Sequence, residues 1–346
     1  MTGKESVEQT LKGHTSSQKS VPKGEIEIAT DFVHRMLTHP LHAYSSPKMN
    51  SFSATKGDKG QLTVKYDKNR KGKTWYSETL KSKDHSLSEG RMEKRRVMEI
   101  LGVDLVTVDL SGVLEKINER VKLTEIEEWA KDEDFFVFAM IGGVFWPLCH
   151  RIGLENYCFR LKNDHIRLQA ETEELQKKQV YLAIEALKRG ADGLIIADDL
   201  AYQKGTFLSP EDLRKMIFPY LRDELETLKE KEKPVFLHSC GNINSVIDEL
   251  VSMGFDGLQG LQPSSGMNIK QIKEKFGRKI TLMGNFEPDC WDIMRLENIK
   301  EEVHETLRCC RQGGRYIAGT SGGLSLASDV SLIVKLYSWF FDVKGH

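Results

Sequence analysis

His238 and Cys240 stand one residue apart at the end of the apolar run Pro234-Val235-Phe236-Leu237, just before Gly241. A short apolar run bounded by polar and glycine signals predicts a buried strand. Strand side chains alternate with a period of two, so the imidazole and the thiol point the same way where the strand leaves the core. Imidazole and thiolate are the usual ligands of zinc and related soft metals. The pair predicts a metal site; the plainer alternative is a hydrogen-bonded histidine beside a buried thiol. Two ligands do not complete the site, because catalytic zinc takes three protein ligands and keeps one position open. Glu287 is the expected third, since a carboxylate oxygen is an accepted donor and this residue also follows an apolar strand. Cys290, Cys309 and Cys310 are the alternatives. Leu307 and Cys310 share one helix face at i,i+3 spacing, which favours packing for that cysteine pair.

Other strand ends carry chemistry of their own. Asp198 and Asp199 follow the run Gly193 to Ala197. Only one of them can face inward, and that one is expected to position substrate or act as a general acid with a shifted pKa. A loop cap or a salt bridge is the structural alternative. Asp109 holds a similar place after Leu105 to Val108, with an N-cap as its plainer role. Phe145, Trp146 and Tyr202 are expected to wall a pocket for a flat ligand. Asn285, beside Glu287, is a further substrate-binding candidate. Gly322-Gly323 offers a turn whose N–H groups can cup an anion.

The elements that must position these residues follow a rhythm. Strand candidates are Glu25 to Ile28, Leu105 to Val108, Phe135 to Ile141, Gly193 to Ala197, Pro234 to Leu237, Gly257 to Gln259, Ile280 to Met283 and Tyr316 to Ala318. Charged helical stretches lie between most of them, at His165 to Arg189, Pro210 to Glu230, Ile243 to Met253, Ile269 to Phe276 and Ile299 to Cys310. Such alternation reads as βαβ units on a parallel sheet, and eight units predict a closed (β/α)8 TIM barrel. An open doubly wound sheet is the competing architecture. It is weakened by the lack of a glycine-rich fingerprint after the first strand. In a barrel, catalytic groups belong at the C-terminal strand ends, where Asp109, Asp198 with Asp199, His238 with Cys240, and Asn285 with Glu287 fall. The polar, basic stretch 44–88 reads as an inserted β-hairpin, with Gln61 to Tyr66 returning along Lys73 to Glu78. The expected organisation is one barrel domain over 1–346 with that insertion inside it.

Composition narrows the partners. Of 346 residues, 50 are Lys or Arg and 51 Asp or Glu, a net charge of −1 that argues for neither a nucleic-acid nor a membrane partner. Six cysteines spread over this length are not a disulfide scaffold and fit a reducing compartment. No apolar run approaches a membrane span, and Met1 to Lys23 shows no secretory signal, so a cytoplasmic location is expected.

Three segments together resemble the uroporphyrinogen decarboxylase family. They are Gly190-Ala191-Asp192-Gly193-Leu194-Ile195-Ile196-Ala197-Asp198-Asp199-Leu200, Leu237-His238-Ser239-Cys240-Gly241-Asn242 and Gly284-Asn285. Ile141-Gly142-Gly143-Val144-Phe145-Trp146-Pro147 adds to the likeness. The family has a (β/α)8 barrel and includes the haem-pathway decarboxylase and corrinoid-linked methyltransferases. The decarboxylase's Arg-Gln-Ala-Gly-Arg motif, which grips substrate carboxylates, has no counterpart here; the region reads Thr38-His39-Pro40-Leu41-His42. Its late histidine is also replaced, by Gly319-Thr320-Ser321-Gly322-Gly323. The methyltransferase branch uses zinc held by a His-x-Cys pair and a later cysteine, and His238 and Cys240 match the pair. The later cysteine, expected between Ala318 and Ser321, is missing.

The resemblance implies transfer of a methyl group between a corrinoid on a partner protein and a small-molecule donor or acceptor, with zinc at His238 and Cys240. The first alternative it implies is metal-free decarboxylation of a tetrapyrrole or other carboxylated substrate, with Asp109 or Asp198 as the acid. The second is a corrinoid- or tetrapyrrole-binding module without catalysis.

Overall fold

The computed structural model describes residues 1–14, 21–38, 52–56, 62–67, 75–80, 87–111, 118–291, 295–325 and 328–342. After helices α1 (Gly3–Leu11) and α2 (Thr30–Thr38) come strands β1 (Phe52–Lys56), β2 (Leu62–Asp67) and β3 (Trp75–Leu80). These three pair antiparallel in the order β1-β2-β3, with Asp67 opposite Trp75. The rest of the region expected as an insertion, its basic run Lys68 to Lys73 included, lies outside the described residues, as do the side chains of these strands. Helix α3 (Leu87–Leu101) leads into β4 (Leu105–Asp109), α4 (Glu119–Ala130) and β5 (Phe136–Gly142). Next are α5 (Trp146–Ile152), α6 (Leu154–Asn163), α7 (His165–Lys188), β6 (Gly193–Ala197) and the small hairpin β7 (Ala201–Tyr202) and β8 (Gly205–Thr206). The chain ends with α8 (Pro210–Met216), α9 (Phe218–Lys229), β9 (Val235–Ser239), α10 (Ile247–Ser252), β10 (Gly257–Gly260), α11 (Ile269–Phe276), β11 (Thr281–Phe286), α12 (Leu296–Cys310), β12 (Tyr316–Thr320) and α13 (Val330–Asp342).

Seven strands form one parallel sheet in the order β12-β11-β10-β9-β6-β5-β4. Its outer strands both meet residues 22–28. Ala318 N–H donates to Pro22 O at 2.8 Å and Gly24 N–H to Ala318 O at 2.9 Å, while Asp104 N–H donates to Lys23 O at 2.8 Å. The expected first strand, Glu25 to Ile28, is not regular: it pairs only at isolated points, Lys23 with Ala318 and Ile28 with Leu324. The reason lies in Glu25, whose carboxylate, not a backbone carbonyl, takes the Thr320 N–H at 3.0 Å. The same carboxylate accepts from Thr320 Oγ1 and, at 2.5 Å, from the Tyr337 hydroxyl. The two edges run so close that a Cβ on Gly319 would overlap the Gly24 carbonyl oxygen. The sheet is thus curled like a TIM barrel, with an irregular segment at its seam.

Alternation fills the two sides of the sheet differently. Phe136, Phe138 and Met140 of β5 pack inside with Leu105, Ile195, Phe236, Met283 and Ile317. The intervening Val137, Ala139 and Ile141 pack outward against the helices. Inside, the Phe138 and Phe236 rings lie 5.0 Å apart. Val7 of α1 joins this inner cluster. Helix α1 begins with a capping box: Glu5 N–H donates to Thr2 Oγ1 and Thr2 N–H to the Glu5 carboxylate. Lys4 ties it to Asp192 at 2.6 Å.

The helix expected over Pro210 to Glu230 is two helices. Pro219 offers no N–H to continue the ladder from α8 but is tolerated in the first turn of a helix, and the chain breaks at Ile217 and restarts at Phe218. The helix expected from Ile243 begins only at Ile247. No helix among the described residues is long and apolar enough to cross a membrane.

Candidate metal centre

Parity decides which polar groups enter the barrel mouth. Phe236 faces inward, so His238 and Cys240 on the same chain follow it; Ile195 faces inward, so Asp199 follows it too. His238 Nε2 lies 3.6 Å from Cys240 Sγ and 3.5 Å from Asp199 Oδ1. Among the described residues, these three form a group whose ligand atoms all lie within 4.8 Å of one another, each half-buried. Tetrahedral zinc, with bonds of about 2.3 Å to sulfur and about 2.0 Å to nitrogen or oxygen, requires S–N edges of about 3.6 Å and N–O edges of about 3.3 Å. The donor set and its spacing fit that ion.

The cluster is held from behind. Cys240 N–H donates to Asp199 Oδ1 at 2.7 Å, which locks the two strand ends together. Gly241 N–H donates to Gln262 Oε1 at 2.7 Å. Gly241 has a positive φ of 82°, and a Cβ there would run into the Ala201 backbone, so the turn after the cysteine requires glycine. His238 Nδ1 makes a close hydrogen bond to Gln259 Oε1. Burial first, then the Asp199 and Glu287 carboxylates, push the Cys240 thiol well up. A cation among these groups reverses that trend by favouring the thiolate.

Glu287, the expected third ligand, is not a member of this group: its carboxylate accepts from Ser264 N–H at 2.7 Å and Ser264 Oγ at 2.9 Å. Asp199 stands in the group with His238 and Cys240 instead. Cys310 is fully buried in α12, where burial pushes its thiol up to about 12, as the packing alternative requires.

Asp198, expected at the substrate, faces away from the mouth. It is fully buried and accepts the N–H groups of Val144 at 3.1 Å, Phe145 at 3.1 Å and Trp146 at 2.6 Å, which fixes the chain entering α5. Burial pushes this carboxyl up to about 7, although the three N–H donors pull the other way. Behind it, Glu224 on α9 is buried, neither of its oxygens has a hydrogen-bond partner among the described residues, and burial, then Asp198, raise it well above the usual range. Asp109 accepts the Ser111 N–H at 2.7 Å in a local turn; the N-cap expected as its plainer role falls instead to Asn118, whose Oδ1 accepts the Val121 N–H at 3.3 Å at the start of α4.

The expected aromatic wall is partly core. Phe145 is fully buried and meets Tyr157 edge-on at 5.0 Å. Trp146 and Tyr202 do lie toward solvent, joined by Phe207, which sequence reasoning passed over. Phe207 stacks on Trp146 at 5.1 Å and leans on Tyr202 at 5.5 Å, and Tyr202 is exposed. Tyr202 O accepts the Asn242 N–H at 2.8 Å, so this ladder adjoins the metal-competent loop. Asn285 is buried and donates to Leu261 O at 3.3 Å, away from the role expected for it.

Comparison with known proteins gives consistent matches. A family model described as uroporphyrinogen decarboxylase (URO-D) matches residues 116–338. The uroporphyrinogen decarboxylase of Chlorobium luteolum is 28% identical over 191 residues, 53% of this chain and 48% of that protein. That of Chlorobium chlorochromatii is 27% identical over 158 residues, 44% of this chain and 40% of that protein. The chain therefore spans less than half the length of these curated relatives. A methyltransferase from Methanosarcina mazei shares the fold over 99% of both chains, with a TM-score of 0.63 at 16% identity.

Proposed function

The chain belongs to the uroporphyrinogen decarboxylase family, and from that premise we propose that it is an enzyme that transfers a methyl group between a corrinoid carried by a partner protein and a small acceptor or donor. The observation that carries this reading is the Asp199–His238–Cys240 cluster, whose edges of 3.5 and 3.6 Å suit zinc. Bound there, zinc supplies Lewis acidity that lowers the pKa of an acceptor such as a thiol and makes it nucleophilic. Asp199, His238 and Cys240 would hold it as three protein ligands, and the Asp199 carboxylate and Cys240 thiolate would balance its charge. Asp198 fixes Trp146 through the Val144–Trp146 backbone, and the Trp146–Phe207–Tyr202 ladder offers an apolar side to the mouth. In this reading the barrel is a closed (β/α)8 form in which residues 22–28 serve as the eighth strand.

Decarboxylation of a polycarboxylated tetrapyrrole is disfavoured by charge. Asp199, Glu287 and Asp109 all stand at strand ends, and like charges repel a substrate rich in carboxylates. Arg35 on α2, just before the segment where the family's carboxylate-gripping motif has no counterpart, engages two of its nitrogens with Ser325 O at 2.7 Å and Ser328 O at 3.0 Å.

Zinc content of protein purified without added metal tests the reading. About one equivalent, retained through dialysis, is expected; less than about a tenth, with no gain on reconstitution, overturns the metal assignment. Methylcobalamin and a small thiol then serve as probes. Loss of the cobalt–carbon absorbance that depends on Cys240 supports transfer. Carbon dioxide release from a carboxylated tetrapyrrole without any metal favours the decarboxylase reading.

A further inference from the structure

We propose that Gln259 is a positioning residue that fixes the tautomer of His238, so that Nε2 presents a lone pair to the space shared with Cys240 and Asp199. The inference rests on the metal reading only for its consequence; the tautomer itself is a property of the metal-free chain.

The argument is one of donors and acceptors. Gln259 is the polar residue of the short strand β10 and lies level with His238 in the parallel register of β10 and β9. It is buried, 1% exposed, so its amide must find partners within the protein. Its Nε2 faces two backbone carbonyls, Thr320 O at 3.3 Å and Ser321 O at 3.1 Å. Carbonyl oxygens only accept, so the end of the amide that faces them is the NH2. The other end, Oε1, therefore faces His238 Nδ1, and an amide oxygen also only accepts. Nδ1 must carry the hydrogen. A neutral imidazole has one such hydrogen, which leaves Nε2 free as the ligand atom.

This arrangement also shows how β12 takes part in the site without a cysteine. Its last residue, Thr320, and the next one, Ser321, contribute backbone carbonyls that orient Gln259, which orients His238. Thr320 is itself held by the buried Glu25 through its N–H and its hydroxyl, and Glu25 by Tyr337. A continuous set of buried hydrogen bonds thus runs from the barrel seam to the imidazole.

The test begins with nitrogen-15 NMR of histidine-labelled, metal-free protein, at a pH where the ring is neutral, with the His238 signals assigned by loss in His238→Ala. The expected result is the Nδ1–H tautomer; a dominant Nε2–H tautomer overturns the proposal whether or not zinc binds. Gln259→Met, which conserves volume and removes both polar ends, is expected to abolish the preference and to weaken zinc binding roughly 10–100-fold. Cobalt(II) as a spectroscopic probe is expected to give an altered absorption spectrum in that variant. An unchanged tautomer, affinity and spectrum in a folded variant overturn the proposal. Failure of the wild-type chain to bind zinc, with the Nδ1–H tautomer present, overturns the metal reading and leaves the role of Gln259 standing.

Discussion

Asp198 and Asp199 are neighbours in the chain, yet their carboxylates act on opposite sides of the sheet. Asp199 Oδ1 approaches His238 Nε2 inside the mouth at 3.5 Å, whereas Asp198 accepts three backbone N–H groups of residues 144–146 in the helical shell. Two acids of one type are thereby separated into different tasks by strand parity alone.

Substitution should separate them. Asp199→Asn is expected to weaken zinc binding by at least about tenfold while leaving the unfolding midpoint of the metal-free protein nearly unchanged. Asp198→Ala leaves buried N–H groups without an acceptor and is expected to cost about 3 kcal/mol, read by urea denaturation. If Asp198→Ala proves neutral to stability, the clamp assigned to it is wrong.

Phe145 and Tyr202 make a second contrast. Phe145→Ala opens a cavity in the shell and is expected to cost about 3–5 kcal/mol. Tyr202→Ala removes an exposed ring and is expected to stay within about 0.5 kcal/mol of wild type. Its effect should fall on KM in the methyl-transfer assay, because the ladder it ends adjoins the cluster. Equal destabilisation by both would place Tyr202 in the core.

Glu25 makes the seam sensitive to pH. Burial raises its carboxyl from 4.5 to about 7, against the pull of Thr320 and Tyr337. The folded state therefore holds this proton more tightly than the unfolded chain. Its stabilising contribution is complete below 4.5 and is lost as pH rises through about 7. Wild-type stability should fall relative to Glu25→Gln across that window, with a slope of at most about 1.4 kcal/mol per pH unit. A difference between the two proteins that does not change with pH would contradict the buried, proton-binding state.

Much of this was legible in the sequence because it depends on period and burial. The apolar runs located all seven strands of the parallel sheet, and the spacing of His238 and Cys240 put both in the mouth. The irregular segment at 22–28 was not legible, since a side-chain acceptor replaces a ladder bond there and leaves no periodic trace. The third member of the cluster was not legible because Asp199 and Glu287 both follow apolar strands. Parity does not distinguish them, since Asp199 shares the inward parity of Ile195 and Glu287 that of Met283; what sets Glu287 apart is its capture by Ser264 across a loop. Gln259 had a signal that parity offers in hindsight, a lone amide on a short strand level with His238.

Thiol reactivity offers a check that needs no knowledge of substrate. Cys290 is exposed and is expected to react with a small alkylating reagent in the folded protein whatever the metal content. Cys149 and Cys310 are buried, and burial pushes both thiols up, so neither should react until the protein unfolds. Cys240 lies between these limits, half-buried at the mouth with Asp199 and Glu287 raising its thiol. In metal-free protein it should label slowly, and one equivalent of zinc should protect it while Cys290 continues to react. Peptide mapping after labelling reads the sites directly. Protection that includes Cys309 and spares Cys240 would move the metal away from the end of β9, whereas selective protection of Cys240 that is lost in Asp199→Asn would tie the thiol and the carboxylate to one ion.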